Sequence, residues 1–427
     1  MPFKVAIVGG GICGLYTALS IHQHCSNEDI VINVYEQAPH YKEIGAGVGL
    51  GVNAAKLFHR MGLGNDLNAI TGDRNGVWMA FRRYDNGHEI VSLPTDDSLK
   101  VRQGSVHRAE LLELLCQTIK NRDAATLHTN KTFIKVTECE SSMMIHFRDG
   151  LTESADLVVG CDGIHSKVRS QFISDHPTYS GEIAWRGLVN MENLKTWWPY
   201  QTYAGSWLAK GRHFVHHPIS QNKFLSVAAF VIKKECEIGD LDESWTSIGT
   251  KVELEDDFQG FDLTIQRIIS HMPTTPSRWK ILDREPQEQW VFGDGKIVLA
   301  GDAAHAMLPH QAQGAGQSIE DGYILGRIMQ DYFRSGGSSI KGNLARWLNL
   351  YESVRLPRAQ KAQQTSREAG DIFEMRTDDM KDRSYDECIP EVAERIRHRM
   401  KWLWFEDIDT AYEKARSSEH EAGEQRN

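Results

Sequence analysis

The chain has 427 residues, which is enough for two or three domain-sized units. Acidic residues outnumber basic ones by 58 to 48, and the formal net charge of −10 argues against a dedicated nucleic-acid binder, whose affinity depends on Lys and Arg. With 41% hydrophobic and 25% charged residues, the composition is that of an ordinary soluble globular protein.

The sequence also argues against a membrane protein and a disulfide-rich protein. No apolar run approaches the roughly 18 residues that a membrane span needs. The seven cysteines are scattered and form no C-x-x-C pair, which argues against a disulfide framework and against a zinc site. We therefore expect no metal centre and a reducing, cytoplasmic location.

The N-terminal segment predicts a βαβ unit. The run FKVAIVGG predicts a strand, apolar residues at helical spacing follow it, and a second strand-like run, DIVINVYE, ends at Glu36. Gly9, Gly11 and Gly14 form G-x-G-x-x-G, in which the glycines permit a tight turn, the approach of a pyrophosphate and close helix packing. Glu36 stands where a carboxylate accepts both ribose hydroxyls and opposes a 2′-phosphate, so the pattern indicates FAD or NAD.

The remaining elements predict two interleaved units and a C-terminal extension. The helix VHRAELLELLCQTIK, two antiparallel strands and the buried parallel strand of ADLVVGCDG continue the first unit. Trp and Tyr then rise, and HFVHHPI and FLSVAAFVI alternate like strands of a larger antiparallel sheet. We predict an α/β fold with a discontinuous Rossmann-like FAD domain and an inserted antiparallel-sheet substrate domain, followed by C-terminal helices. The predicted boundaries are 1–177 and 286–370 for the first domain, 178–285 for the insert, and 371–427 for the helical extension, with a polar frayed tail from about 413.

Two segments distant from the N-terminus favour FAD over NAD. Asp162 follows one predicted strand, and Asp302 follows another that leads through Gly314 into a helix. Asp302 is a carboxylate suited to polyol hydroxyls, and FAD has such a polyol in its ribityl chain whereas NAD has none. Nucleotide-binding segments so far apart in sequence suit an extended FAD.

With these motifs in place, the sequence resembles the class A flavoprotein aromatic hydroxylases, which share the p-hydroxybenzoate hydroxylase fold, and most closely the salicylate hydroxylase branch. Three motifs in the right order carry the resemblance from Val5 to about Trp404: VGGGICGLYTA…VYE, DLVVGCDGIHSKVR and LAGDAAHAMLPHQAQGAGQSIEDG. In that family the second motif serves both FAD and the reduced nicotinamide, and this sequence likewise offers no second G-x-G-x-x-G.

The resemblance implies cofactor roles for particular positions. Glu36 would hold the adenosine ribose, Arg108 would contact the cofactor near its pyrophosphate, and Asp302 would bind the ribityl chain. The loops 45–49 and 314–316 would flank the isoalloxazine. The implied FAD-binding residues are Gly9, Gly11, Gly14, Glu36, Gly49, Arg108, Asp162, Asp302, Gly314 and Ala315.

The reaction implied by the resemblance consumes NADH or NADPH, between which the sequence does not choose. The nicotinamide would reduce FAD, O₂ would add to form a C4a-hydroperoxyflavin, and its distal oxygen would attack an electron-rich phenol. The expected substrate is a small phenol, first of all salicylate or a related hydroxybenzoate, and attack at the carboxyl-bearing carbon of salicylate would release CO₂ and give catechol.

A phenolate is a better nucleophile than a phenol, so the site needs a base, for which three histidines compete. His310 lies in the MLPHQAQGAG loop, where salicylate hydroxylases have a histidine that is the expected base. His213 and His217 lie four apart on a predicted strand and would share one face. Relatives often have Tyr at the place of His217, which leaves the identity of the substrate open. Each histidine also fits a structural role.

Arg186, in AWRGLV, matches a position at which relatives hold the phenolate or carboxylate of the substrate, a task suited to a planar guanidinium. A structural arginine there would need a paired acid. Three alternatives remain open: a phenol hydroxylase or dearomatising monooxygenase of a polyketide or other secondary-metabolite pathway, a flavoprotein oxidase without oxygen insertion, and a flavin fold that only binds. The sequence leaves the oligomeric state open.

Overall fold

The computed structural model describes residues 1–41, 47–95, 101, 103–139, 142–238, 247–336 and 343–424. The strands of these residues are β1 (Phe3–Val8), β2 (Ile30–Tyr35), β3 (Gly47–Leu50), β4 (Val77–Arg83), β5 (Glu89–Pro94), β6 (Gly104–His107), β7 (Thr126–His128), β8 (Phe133–Cys139), β9 (Ser142–Phe147), β10 (Thr152–Ala155), β11 (Leu157–Gly160), β12 (Thr178–Asn190), β13 (Gly205–Ala209), β14 (Arg212–Ile219), β15 (Phe224–Ile232), β16 (Ser277–Asp283), β17 (Val291–Phe292) and β18 (Ile297–Leu299). The helices are α1 (Ile12–His24), α2 (Val52–Arg60), α3 (Gly64–Ile70), α4 (Arg108–Arg122), α5 (Lys251–Asp257), α6 (Leu263–His271), α7 (Asp302–His305), α8 (Gly314–Arg334), α9 (Asn343–Phe373), α10 (Tyr385–Arg397), α11 (Lys401–Phe405) and α12 (Ile408–Glu424). Within the described part of the chain, no helix combines the length and the apolar character that crossing a bilayer requires.

A parallel sheet organises the first unit, as the N-terminal motif predicts. Its strand order is β17-β18-β11-β1-β2-β7, and only the β17–β18 pair is antiparallel. β1 pairs with β2 on one side and with β11 on the other, so the glycine loop after β1 and the turn after β11 reach the same edge. Helices α1 and α8 pack against each other beside this sheet, and their apolar residues belong to the largest core of the molecule.

The second sheet is larger than the predicted insert. Its order is β16-β12-β15-β14-β13-β4-β5, so β4 and β5, from residues before 178, extend the sheet that the insert forms. β4 joins β13 in parallel register, with Gly205 opposite Ala80. The predicted boundary at 178 therefore leaves out two strands of this sheet, because pairing between distant segments leaves no local signal at either strand.

The two faces of this second sheet have different partners. On one face, Trp185, Phe214 and Val227 pack with helices α5 and α6 in a separate apolar core. On the other face, Ala184 and Phe230 contact Leu308, which belongs to the chain between α7 and α8 of the first unit. We call this second side the sheet face; it is where the two units meet.

The C-terminal helices pack on both units: α12 contacts α8 and α9, and α10 contacts β5. Helix α12 continues to Glu424, so the prediction of a frayed tail from about 413 is wrong for most of that segment. Two arginines explain the difference: Arg327 pairs with Glu413, and Arg416 lies 3.0 Å from Asp331. Both contacts join α12 to α8, which lies nearly a hundred residues earlier in the chain. The polar sequence of the tail alone therefore does not predict them.

Candidate functional site

The glycine loop after β1 has the shape that its motif predicts. Gly9 has φ = +106°, and a Cβ on it would stand 2.3 Å from the carbonyl oxygen of Cys161. A Cβ on Gly14 would stand 2.0 Å from the carbonyl oxygen of Gly9, so this glycine permits the close approach of α1 to β1. Around Gly11, by contrast, a Cβ would meet no described atom within 4 Å. The backbone at Gly11, at the N-terminus of α1, is therefore open to a ligand that carries a pyrophosphate.

Glu36 lies beside this loop at the end of β2. One carboxylate oxygen accepts a hydrogen bond from the backbone N–H of Gly10 at 2.8 Å, and the other accepts one from Ala38 at 2.8 Å. These two bonds fix the carboxylate next to the glycine loop while the residue stays partly exposed. The position suits recognition of ribose hydroxyls.

Asp162 was predicted to bind FAD directly, but its carboxylate is engaged in hydrogen bonds within its own turn. One carboxylate oxygen accepts hydrogen bonds from the backbone N–H groups of Lys167 and Val168 at 2.7 and 3.1 Å, and the other accepts the hydroxyl of Ser166 at 2.5 Å. Burial raises the pKa of Asp162, and these hydrogen bonds oppose that shift. In this structure the carboxylate shapes the turn after β11, and its part in cofactor binding stays a prediction.

The two predicted flavin loops converge. A Cβ on Gly49 of β3 would stand 2.9 Å from the Cβ of Ala312, just before the second loop. Asp302 is exposed, and its carboxylate lies 3.8 Å from the position that a Cβ on Gly314 would take. Ala315 follows in the first turn of α8, a helix of 21 residues whose N-terminus faces the same region. Gly45 and Ala46, the first part of the loop 45–49, lie outside the described residues.

The sheet face carries a row of side chains whose charge differs between its two ends. In β14, the residues His213, Val215 and His217 point to this face, because alternate residues of a strand share a side. Opposite Val215 lies Ala228, whose other neighbour is Arg186 of β12. Val215 and Ala228 are only half-buried in the middle of a covered sheet, which indicates space above them. His213 and His217 stand about 13 Å apart along the strand, a distance that leaves room for one aromatic ring between their side chains.

One end of this row is cationic. The guanidinium of Arg186 lies 4.2 Å from the centre of the Trp279 ring, and burial, followed by the charge of Arg108, lowers the pKa of Arg186 to about 9. Arg186 is therefore still charged at neutral pH. Burial and the neighbouring cations lower the pKa of His217, so its imidazole is neutral. His217 fits closely because Gly47 has no side chain: a Cβ there would stand 2.4 Å from its Nε2.

Arg74 also belongs to this end and was not predicted from the sequence. Its side chain is buried, stacks 4.0 Å from the centre of the Trp78 ring, and donates hydrogen bonds to the carbonyl oxygen of Trp78 and the hydroxyl of Ser105. Burial lowers its pKa to about 9, and its charge helps to lower the pKa of His217. In the sequence it stands in the turn-like DRNG, and nothing local distinguishes it from a surface arginine.

The other end of the row combines histidines with acids. His213 Nδ1 lies 2.9 Å from Glu374 Oε1, and His310 Nε2 lies 3.1 Å from Glu182 Oε2. The rings of His213 and His310 are 5.3 Å apart, and both pack on Phe230. Two of the three predicted base candidates thus lie together, and the third, His217, stands about 13 Å along β14 from His213. Burial lowers the pKa of His213 to about 4, so it is a neutral imidazole at pH 7.

Glu182 and Glu374 were not predicted, since each resembles an ordinary surface acid in its local sequence. The site therefore joins a cationic end, a half-buried apolar middle and an end of histidines backed by carboxyl groups. Among the described residues, no cluster of three or more His, Cys, Asp or Glu side chains has the spacing to hold a metal ion.

Comparison with known proteins gives a family match and relatives that cover most of the chain. Residues 2–366 match the family described as FAD binding domain. The chain is 31% identical to a salicylate hydroxylase of Pseudomonas putida, over 98% of this chain and 95% of the relative. It is 30% identical to a 6-hydroxynicotinate 3-monooxygenase of Pseudomonas fluorescens, over 85% of this chain and 90% of the relative.

A solved structure extends the likeness to three dimensions. The substrate complex of a salicylate hydroxylase is similar to this chain with a TM-score of 0.81 and 26% sequence identity, covering 97% of this chain and 98% of the other. The likeness therefore includes both sheets and the C-terminal helices.

Proposed function

The chain belongs to the family of FAD-binding domains and to its FAD-dependent aromatic monooxygenases, and from that premise we propose that it hydroxylates a phenol that also carries a carboxylate, with salicylate as the first candidate. NADH or NADPH would supply the electrons and O₂ the inserted oxygen. FAD is the cofactor of this family, and its chemistry is the reduction of O₂ and the delivery of one oxygen atom to the ring.

The chain's own residues fit FAD. The open backbone at Gly11 suits the pyrophosphate, the braced carboxylate of Glu36 suits the ribose, and exposed Asp302 suits the ribityl hydroxyls. We propose that Gly49 and Ala315 border the flavin ring, since the chain segments around them converge in front of the sheet face. Arg108, the first residue of α4, is close enough to both sides for its charge to act on Arg186 and on Asp302.

The observation that carries the proposal is the order of side chains along the sheet face. A ring that lies over Val215 and Ala228 would place its carboxylate towards Arg186 and its hydroxyl towards His213. A charged guanidinium pairs well with a carboxylate, especially away from water. The curated relatives named above are a salicylate hydroxylase and a 6-hydroxynicotinate 3-monooxygenase, whose names describe ring compounds with both a hydroxyl and a carboxylate.

We propose that His213 takes the proton of the substrate hydroxyl. Its neutral imidazole is anchored at Nδ1 by Glu374, and its Nε2 has no hydrogen-bond partner among the described residues. His310 faces Glu182 with its Nε2, so it acts through the electrostatics of this end of the site. His217, close to Gly47 of β3, would orient the ring relative to the cofactor.

A panel of phenols tests the function. The purified, FAD-loaded protein is mixed with NADH or NADPH and with salicylate, 3-hydroxybenzoate, 6-hydroxynicotinate, phenol or benzoate, and nicotinamide oxidation, peroxide and product mass are followed. We expect oxidation to be stimulated most by the carboxylated phenols, with a hydroxylated product. Stoichiometric peroxide with no hydroxylated product from any compound would contradict the proposal and indicate an oxidase. Turnover of phenol in preference to all carboxylated compounds would contradict the assignment of the cationic end.

A further inference from the structure

Two buried carboxyl groups lie beside the His213–His310 pair, and both are close to one arginine. Glu182 comes from β12 and Glu374 follows α9; both residues are almost completely inaccessible to water. They share one cation: Glu182 accepts a hydrogen bond from Arg376, and Glu374 Oε2 lies 3.6 Å from Arg376 Nη1. Two ionised carboxylates buried side by side repel each other, and one guanidinium compensates only one of the two charges. We therefore expect the pair to hold one proton at neutral pH.

The neighbours decide which carboxyl group holds it. Burial alone would raise the pKa of Glu182, but His310, 3.1 Å away, and Arg376, which donates a hydrogen bond to it, hold that pKa below the usual range. Arg376 Nη1 is farther from Glu374, at 3.6 Å. Burial and the charge of Glu182 raise the pKa of Glu374. Two carboxyl groups with pKa values driven apart in this way are the usual arrangement for acid–base work, and they titrate as a pair.

His213 connects this pair to the sheet face. Its Nδ1 bonds Glu374 at 2.9 Å, whereas its Nε2 has no hydrogen-bond partner among the described residues. His213 alone is a poor final acceptor for a phenol proton because burial lowers its pKa to about 4. A group with a pKa nearer neutrality is a better acceptor at working pH.

We propose that Glu374 is the final acceptor of the substrate's hydroxyl proton, which His213 passes to it, and that Glu182 and Arg376 tune Glu374 for this task. The inference rests on the proposed function. The pair first loses its shared proton to solvent. The substrate O–H bond then breaks as its proton moves to His213 Nε2, and the proton on His213 Nδ1 moves to Glu374 Oε1. The result is a phenolate, a neutral His213 and a protonated Glu374, and no electrons are transferred.

The surroundings give the pair a route to water. The side chain of Arg376 is 24% exposed, and its Nε lies 2.6 Å from Asp371, whose side chain is 43% exposed. The titratable or charged groups that face the pair, directly or through its partners, are Tyr179, His213, Asp283, His310, Arg367, Asp371 and Arg376.

The test compares Glu374→Gln with Glu374→Asp in the FAD-loaded enzyme. Gln keeps the shape and the hydrogen bonding of a protonated acid but cannot accept a proton, whereas Asp keeps the carboxyl group. The control is Asp378→Asn, four residues away on a side chain that is 99% exposed. Two readouts are taken: kcat against pH with salicylate, or with the best substrate of the panel, and the infrared carbonyl band of a protonated carboxylic acid, titrated without substrate.

For the wild type we expect kcat to rise with pH as the pair loses its proton, and the carboxylic-acid band to disappear over the same range. Glu374→Gln should lack both the band and this limb of the profile, with kcat lower by about 10²-fold on the alkaline side. Glu374→Asp should keep the limb at a shifted pH, and Asp378→Asn should match the wild type.

A purely structural Glu374 would give a different result. A Glu374→Gln enzyme with the wild-type kcat and pH profile would overturn the proposal, and so would a wild-type enzyme with no titrating carboxylic-acid band. The infrared titration needs no substrate. If no phenol is hydroxylated, the proposed function falls, while the band still decides whether the pair holds the proton on which the inference depends.

Discussion

Two buried histidine–carboxylate pairs in this molecule have similar spacing and opposite protonation. His305 Nε2 lies 2.6 Å from Asp321, in a cluster between α7, α8 and α9, and His213 Nδ1 lies 2.9 Å from Glu374 at the sheet face. Asp321 also accepts hydrogen bonds from Gly301 N–H and from Arg355, each at 2.8 Å. Burial would raise the pKa of Asp321, but His305 and Arg355 hold it at about 2, so this carboxylate is ionised. We call these residues the closed cluster.

The two pairs differ in the group that lies next to the carboxyl group. The closed cluster places a fully buried arginine on its carboxylate, whereas the sheet face places a second acid, Glu182, beside Glu374. The first arrangement satisfies its charges internally and joins helices. In the second, we propose that one carboxyl group holds a proton that can move. A ring nitrogen without a hydrogen-bond partner among the described residues occurs in both pairs, at His213 Nε2 and at His305 Nδ1. We therefore expect the same pair of residue types to have a structural role beside Arg355 and a chemical role beside Glu182.

The largest effect is expected from breaking the closed cluster. Asp321→Asn leaves Arg355 buried without its full countercharge, which should reduce the free energy of unfolding by about 3–5 kcal/mol. Denaturant unfolding of the FAD-loaded protein measures the change. Glu374→Gln is the matched variant, and it should lose less than about 1 kcal/mol, because Gln replaces a group that is already neutral at pH 7. Equal losses in the two variants would remove the distinction between the clusters.

The second effect concerns activity. His213→Asn should lower kcat by about 10²-fold, since the substrate proton loses its first acceptor. His305→Asn, the same change in the closed cluster, should mainly reduce the free energy of unfolding and leave the pH dependence of kcat unchanged. Steady-state kinetics between pH 6 and 9 separate the two variants. A His305→Asn enzyme with the altered pH profile, beside an unaltered His213→Asn enzyme, would reverse the assignment.

The third effect concerns the cationic end of the sheet face. Arg186→Lys keeps the charge but loses the planar fork, so we expect the KM for carboxylated phenols to rise about tenfold, which corresponds to about 1.4 kcal/mol. The KM for phenol itself should change little, and kcat should be nearly maintained. A parallel change for both kinds of substrate would show that Arg186 does not hold the carboxylate.

The smallest expected effect is the change of the free energy of unfolding with pH. The raised pKa of Glu374 means that its contribution to stability is complete below about pH 4.3, the unfolded value, and is lost as the pH rises towards the folded value. The loss is at most about 1.4 kcal/mol per pH unit, and Glu374→Gln should lack it. The lowered pKa of Asp321 has the opposite sign: its contribution is lost as the pH falls from about 4 to about 2. Unfolding midpoints measured at several pH values check both signs.

The sequence predicted the parts of the molecule whose information is local. The βαβ unit, Gly9, Gly14 and the position of Glu36 all follow from a strand, a glycine motif and a helix that are adjacent in the chain, and the structure confirms their arrangement. The family resemblance, with FAD as cofactor, rested on three such local motifs and is confirmed.

The sequence could not predict contacts between distant segments. Glu182 and Glu374 are separated by nearly two hundred residues, and each stands in an ordinary amphipathic context. Arg74 reaches the sheet face only because β4 joins a sheet made mostly from later residues. The protonation of Glu374 depends on charged groups that are close in space but distant in the chain. Its own segment of the sequence therefore does not predict it. The roles of His213, His217, His310 and Arg186 in catalysis stay predictions for the variants above.

Oxygen labelling tests the central claim most directly. The FAD-loaded enzyme is given NADH or NADPH and salicylate under ¹⁸O₂, and the organic product is analysed by mass spectrometry. The account predicts one labelled oxygen atom in a hydroxylated or decarboxylated product, formed in proportion to the nicotinamide consumed. Unlabelled salicylate recovered in full, with all of the consumed O₂ found as labelled hydrogen peroxide and the same result for the other carboxylated phenols, would contradict it.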